Sequence, residues 1–289
     1  MITPLLHRTH ECVCATVTVT LGSTTALDAA AERLIAARAS LVPAAPVREF
    51  LGESDVDAAY EVQRRVIAAE VGRGARVVGA KIGLTAPAVQ QQFGVFRPDF
   101  GVLLDDMMYG HTEPVPAARF LQPRAEGEIA FVLGRDIDRP GATVADVLRA
   151  TDFVLPAIEI VDSRITDWDL AITDTVADNA SSGAVVLGTT PYSLTGLDLS
   201  RVGMTLERDG EQVSFGAGHA CLGSPVVAVA WLARELVTRE QPLRAGDIVM
   251  SGALGPMVPI TEAGTFRLRL DGLGEVDAVI ESVPGGREK

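Results

Sequence analysis

From Arg76 onward the sequence is a succession of short, β-branched and apolar runs that leaves room for few helices. The runs fall at residues 77–84, 128–133, 153–161, 184–187, 204–208, 247–251, 266–270 and 275–280. Helical spacing interrupts them near 144–150 and 225–238. A parallel sheet needs a crossover, usually a helix, between successive strands. Many strands with few helices therefore point to a mixed, mostly antiparallel β-roll or sandwich. Asp209 and Gly210, between two runs, signal a hairpin turn. No glycine-rich nucleotide loop follows a strand, and no repeat of 20–50 residues is present.

The stretch before Arg76 reads differently. Residues 26–39 are Ala-rich, with Leu27, Leu34 and Ile35 at helical spacing, and Pro43 and Pro46 then break the chain. Ser54 or Asp55 can cap a second helix running to about Val71, closed by Gly72 and Gly74. The expected fold class is therefore α+β, with a small helical region over 23–75 ahead of a β-roll domain over 76–289 that carries the candidate site. Residues 1–22 are expected to be a disordered tail. His7, His10, Cys12 and Cys14 cluster there, but at no standard zinc spacing.

The 289 residues are 47% hydrophobic, enough for one sizeable core. A formal net charge of −13 repels phosphate backbones and anionic lipid, so neither nucleic acid nor a membrane is an expected partner. No uninterrupted apolar run is long enough to span a bilayer. Three cysteines, Cys12, Cys14 and Cys221, do not make a disulfide framework, so a reducing cytoplasm is expected.

Acidic residues in apolar strands carry the chemistry. Glu126 and Glu128 are two apart in a run that reads as a strand, so they share a face with Cα atoms roughly 7 Å apart. Carboxylates that close repel unless a cation or a proton lies between them. Glu159 lies in the almost wholly apolar segment 153–161, where a carboxylate is expensive to bury unless paired or metal-bound. Three carboxylates form a hard, oxygen-only set suited to Mg²⁺ or Mn²⁺ rather than zinc or copper. The same residues also fit a plainer arrangement, with Glu126 and Glu128 on a solvated face and Glu159 paired to an arginine.

Ordered motifs narrow the choice. They are AYEVQ at 59–63, VVGAKIGLT at 77–85, VQQQFGV at 89–95, PDFG at 98–101, the segment around Glu126 and Glu128, VLPAIE at 154–159, DTVADNAS at 174–181 and GALGPMV at 252–258. In this order they resemble the 2-hydroxypenta-2,4-dienoate hydratases of meta-cleavage pathways, within the fumarylacetoacetate-hydrolase-like superfamily. The resemblance implies a β-roll and a homo-oligomer. It implies Glu126, Glu128 and Glu159 as ligands for Mg²⁺ or Mn²⁺. It further implies active-site roles for Lys81 and Asp99, and places Asn179, Ser181 and the 252–256 loop, with Gly252, Leu254 and Gly255, near the substrate.

The implied reaction is hydration of a small 2-hydroxydienoate to a 4-hydroxy-2-oxo acid. Lys81 would offset the negative charge of the glutamates, and the base for the adding water is open among Asp99, Glu126 and Lys81. Plainer roles stand beside these: a turn for Asp99, caps or turns for Asn179 and Ser181, and core packing for Tyr60. His111 and His219 are isolated, unlike the His–Glu pair of the related hydrolases. The alternatives are a 4-oxalocrotonate-type decarboxylase and a non-enzymatic scaffold for a pathway partner. Association with a downstream aldolase or a sister decarboxylase is a further expectation.

Overall fold

Among the described residues three helices come first, because their apolar positions recur every three or four residues. The computed structural model describes residues 24–86, 90, 95 and 97–282. The tail expected over 1–22 and most of the 89–95 segment lie outside the described residues. Helix α1 (Thr24–Ser40) buries Leu27, Ala30, Ala31, Leu34 and Ala37, α2 (Arg48–Leu51) is one turn, and α3 (Val56–Gly72) follows. Asp55 caps α3, its carboxylate accepting from Ala58 N–H at 3.0 Å. This helical segment shares one buried cluster with the strands: Leu34, Ala59 and Val62 pack in the same core as Ile82 and Phe100.

The strands build two sheets. The larger has the order β2 (Asp99–Leu104), β1 (Val77–Gly83), β10 (Ile248–Met250), β5 (Arg124–Leu133), β6 (Thr151–Val161), β7 (Ser182–Leu187) and β3 (Met108–Gly110), with β11 (Val258–Pro259) on the end of β5. The smaller runs β4 (Pro114–Pro116), β13 (Gly274–Glu281), β12 (Gly264–Leu270), β8 (Gly203–Arg208) and β9 (Glu211–Ala217). Pairings β1–β10, β3–β7 and β4–β13 are parallel, and the others among these strands are antiparallel. The β8–β9 hairpin turns at Asp209 and Gly210, both with positive φ. The expected mixed, mostly antiparallel α+β fold is thus what forms.

The larger sheet has two differently used faces. One packs on the smaller sheet through Ile129, Phe131, Ile158, Phe266, Leu268 and Ala278. At Gly127 the sheets come so close that a Cβ would lie 2.6 Å from Leu268 Cδ1. Side chains alternate along a strand, so Glu126 and Glu128 project from the opposite face. That face curls on itself: Leu103 of β2 and Val185 of β7 meet in a second buried cluster with Ala130, Leu155, Ala157 and Met250. The candidate site lies at one end of this curled interior.

Helix α4 (Val144–Ala150) begins at a capping box between Thr143 and Asp146. The segment 218–238 matches a membrane span by length and composition, but half of its apolar window is buried. Within it, α6 (Pro225–Thr238) is a core helix that buries Val226, Ala228, Val229, Leu232 and Leu236.

Strand β2 and helix α5 (Ile172–Ala177) were not foreseen from the sequence, and both shape the site. Helix α3 fixes them together. Gln63 Nε2 donates to Phe100 O and Val176 O, both at 2.9 Å. Tyr60 stacks on Phe100 at 4.4 Å between centroids and accepts from its N–H. On the other side of α5, the buried Asp174 accepts from Arg48 N–H and its guanidinium at 2.8 and 2.7 Å. The helical segment thereby holds the strand that carries Asp99.

Candidate active site

Register brings the acidic residues together. In the β5–β6 pair Glu126 lies directly opposite Glu159, and Glu128 is two residues further along the same face. Carboxylate oxygens of the three lie within 4.8 Å of one another. Glu128 and Glu159 are fully buried, and Glu126 borders a cavity that opens to solvent. Lys81 of β1 and Asp99 of β2 reach the same place, because Lys81 pairs with Gly101 and Asp99 with Gly83 in that antiparallel ladder. A Cβ at Gly83 would fall 2.2 Å from Asp99 Oδ1, so a side chain there would displace that carboxylate.

The electrostatics are those of crowded, buried acids around Lys81, with Arg124 acting on Glu126 as well. Lys81 Nζ lies 3.3 Å from Glu159 Oε1, with both side chains out of solvent. Burial works against the lysine charge, but Glu159, Asp99, Glu126 and Glu128 together outweigh it and raise its pKa. Burial, then the charge of Glu159, pushes Glu126 up to about 7. Burial lifts Glu128 well above the carboxylate range, helped by Glu159 and Glu126 and opposed by the Gly252 N–H. Asp99 is also raised by burial, against the pull of Lys81 and of a hydrogen bond from Thr175 Oγ1 at 3.0 Å.

These groups are poorly satisfied by one another. Glu128 Oε2 accepts from Gly252 N–H at 2.8 Å, but Glu128 Oε1 and Glu159 Oε2 have no hydrogen-bond partner among the described residues, and Glu159 Oε1 has only its ion pair with Lys81. Buried carboxylate oxygens without donors are costly. Together with Glu126 they form a set of three converging carboxylates beside a cavity, which is the right donor type for a hard divalent cation. The plainer arrangement fails: Glu126 and Glu128 are not on a solvated face, and Glu159 faces a lysine rather than an arginine.

Other expected residues fall differently. Ser181 lines the cavity, and its Oγ is buried without a partner among the described residues. Asn179 does not reach the cavity. Val102 N–H donates to its Oδ1 at 2.7 Å and its Nδ2 donates to Val102 O at 2.8 Å, so the amide is spent on β2. Gly252 acts through its N–H on Glu128. Leu254 is buried with its N–H on Gly127 O at 2.9 Å, and Gly255 packs against Met204 and Phe215, so neither lines the cavity. Gly252 has φ 101°, and a Cβ there would lie 2.5 Å from Thr85 Oγ1, while one at Gly255 would lie 2.6 Å from Phe215 O. His111 Nδ1 accepts from Asp277 N–H, and His219 is exposed.

Trp168, Leu170, Thr175 and Met257 complete the cavity wall. Thr175 lies inside a quoted motif and was recoverable. Trp168 was not: it sits in the left-handed region at φ 56°, held by its indole N–H on Gln122 O. Cys221 backs the glycine loop, its Sγ 2.9 Å from Gly252 O, and burial raises its pKa.

The match to known proteins follows this geometry. Residues 70–281 match the C-terminal domain of fumarylacetoacetate hydrolase. The chain belongs to the fumarylacetoacetate hydrolase C-terminal family. It is 52% identical over 255 residues to a 2-keto-4-pentenoate hydratase of Paraburkholderia xenovorans, covering 88% of this chain and 95% of that one. It is 42% identical over 250 residues to a 2-hydroxyhexa-2,4-dienoate hydratase of Comamonas testosteroni, covering 86% and 95%. Among solved structures, 4-oxalocrotonate decarboxylase from Pseudomonas putida, complexed with magnesium and adipate, superposes with a TM-score of 0.84 at 34% identity over 89% of this chain and 97% of that one.

In this family member the close approach of β2 to the 179–181 turn is sterically tight. A Cβ at Gly101 would lie 2.4 Å from Asn179 O and 2.7 Å from Ser182 Oγ. Gly101→Ala is expected to destabilise the chain by about 1–3 kcal/mol through this overpacking. A thermal melt unchanged from wild type would show that the turn yields freely.

Proposed function

We propose that this chain is a metal-dependent hydratase that converts 2-hydroxypenta-2,4-dienoate, or a C5-substituted homologue, to a 4-hydroxy-2-oxo acid. The observation that carries the reading is the convergence of the Glu126, Glu128 and Glu159 carboxylates, with Glu128 Oε1 and Glu159 Oε2 lacking any donor among the described residues, beside a cavity that also presents Lys81 and Asp99. The identity to named hydratases, 52% and 42% over most of each chain, supports the same reaction. Glu126, Glu128 and Glu159 would hold Mg²⁺ or Mn²⁺, which supplies Lewis-acid stabilisation of negative charge on the substrate's 2-oxygen.

The chain's own groups do the rest. Lys81 sits over Glu159 and offsets the excess negative charge that would repel an anionic substrate. Ser181 Oγ offers a hydrogen bond to a substrate oxygen. Transfer of the enol proton to C5 leaves a 2-oxo-3-enoate, and addition of hydroxide from water at C4 with a proton at C3 completes the hydration. Asp99 Oδ1 is a buried carboxylate oxygen with no partner among the described residues, at the cavity and not paired as Lys81 is. It is the best-placed base to take the proton of that water. Leu170, Trp168 and Met257 shield the reacting carbons from bulk water.

Assay of the full chain with 2-hydroxypenta-2,4-dienoate in Mg²⁺ or Mn²⁺ tests the reaction. Loss of dienoate absorbance with formation of 4-hydroxy-2-oxopentanoate is expected. CO₂ release from a 2-oxo-3-enedioate with no consumption of the dienoate would make the chain a decarboxylase instead. Asp99→Asn is expected to lower kcat about 10²- to 10⁴-fold. A kcat within twofold of wild type would remove Asp99 from the mechanism. A homo-oligomer, association with an aldolase or sister decarboxylase, and a cytoplasmic location belong to the same proposal.

A further inference from the structure

The wall of the cavity nearest Ser181 is built on an unusual piece of backbone. Asn179, Ala180 and Ser181 lie in succession in the left-handed region, at φ 56°, 49° and 54°. Residues with a Cβ avoid this region, and asparagine avoids it least. Three in a row persist only where the surroundings over-determine them. Here the constraints are explicit. The Asn179 amide spans the main chain of Val102 as donor and acceptor. Ser182 Oγ donates to Asn179 O at 2.8 Å, and Asp162 N–H donates to Ser181 O at 2.7 Å. Arg164 donates to Ser182 O at 2.8 Å and to the carboxylate and carbonyl of Asp178. The net result is a buried Ser181 hydroxyl at the cavity without a partner among the described residues.

We propose that Asn179 is a positioning residue: its amide, clamped to β2, holds the left-handed turn that presents Ser181 Oγ to an oxygen of a bound 2-oxo acid. The inference rests on the cavity being the 2-oxo acid site. Asn179 itself cannot be the ligand contact, because both ends of its amide are used by Val102. Its action on the ligand runs through Ser181.

The test is a double-mutant cycle on ligand affinity, with 2-oxopentanoate titrated calorimetrically into the Mg²⁺-loaded full chain. Ser181→Ala is expected to weaken binding about tenfold, the loss of one hydrogen bond to a charged group. Asn179→Gly keeps a residue that takes positive φ freely but removes the clamp, and is expected to weaken binding about fivefold. Adding it to Ser181→Ala is expected to change affinity less than about twofold, because the contact it positions is gone. Ser182→Ala, which removes a different strut, should move affinity in the same direction and serves if the glycine variant does not fold. Wild-type affinity in Asn179→Gly, or single effects that multiply in the double mutant, overturns the inference. A wild-type chain that binds 2-oxopentanoate but leaves the dienoate unhydrated overturns the proposed reaction, while the cycle still decides this inference. A wild-type chain that does not bind 2-oxopentanoate overturns both.

Discussion

Glu128→Gln is expected to raise the melting temperature of the metal-free chain and to abolish its metal-dependent activity. The two effects have one cause. Glu128 is fully buried, its only hydrogen bond among the described residues comes from Gly252 N–H, and two other carboxylates lie within ligand distance of one another around it. Without a cation it either carries a repelled charge or takes up a proton, since burial and the neighbouring Glu159 and Glu126 push its pKa up. Glutamine is nearly isosteric, keeps an oxygen for Gly252 and removes the charge. Relief of about 1–2 kcal/mol is reasonable for one buried, unpaired group and corresponds to roughly 2–8 °C in a chain of this size.

The same change takes away one of three anionic ligands. The wild-type chain should be stabilised by Mg²⁺ through mass action, by about 2.7 kcal/mol at a hundredfold excess over Kd, and the variant should show little of this shift. Loss of the ion's charge stabilisation, worth several kcal/mol, lowers kcat/KM by about a thousandfold. Differential scanning fluorimetry in chelator and in Mg²⁺, beside the dienoate assay, reads both. A variant less stable than wild type in chelator that still gains from Mg²⁺ would mean that Glu128 is a structural acid and no ligand.

What was legible in the sequence follows from the length and regularity of each element. Strands β5 and β6 are long, apolar and interrupted by acids, so period-two spacing alone put Glu126 and Glu128 on one face. Nothing in the spacing could put Glu159 opposite Glu126. That depends on the register between two strands and was available only through resemblance. Strand β2 was missed because it starts after Pro98 and contains Gly101, both turn signals, and its pairing with β1 is a long-range fact. The segment was instead recognised by Asp99. Strands β3, β4 and β11, of two or three residues, are too short to show any period.

Asn179 illustrates a different limit. Its place in a recognised motif marked it as important, and a polar side chain near a site is naturally read as a ligand contact. The structure gives the amide to Val102 and leaves Ser181 facing the cavity. The left-handed turn that produces this has no compositional mark, because alanine and serine are poor indicators of positive φ. Leu254 and Gly255 pose a similar ambiguity: a glycine loop next to a site can serve close strand approach as well as ligand approach.

Lys81→Met is the second large effect, and here stability and activity should fall together. Lys81 is the one cation in contact with the acid cluster among the described residues, 3.3 Å from Glu159 and buried with it. Removing one partner of a buried pair leaves the other uncompensated, at a cost of about 3–5 kcal/mol, or roughly 10 °C in melting temperature for a chain of this length. Three glutamates with a divalent ion keep a net negative charge, and Lys81 cancels it. Without the lysine an anionic substrate meets a like-charged site, so KM is expected to rise at least about tenfold and kcat/KM to fall more than about a hundredfold. The double variant Lys81→Met with Glu159→Gln separates the two consequences. It removes the orphaned charge, so the metal-free chain should regain most of its melting temperature while activity stays lost. Should the double variant be less stable than Lys81→Met alone, the pair would not be the source of the cost, and Glu159 would be held by something other than Lys81.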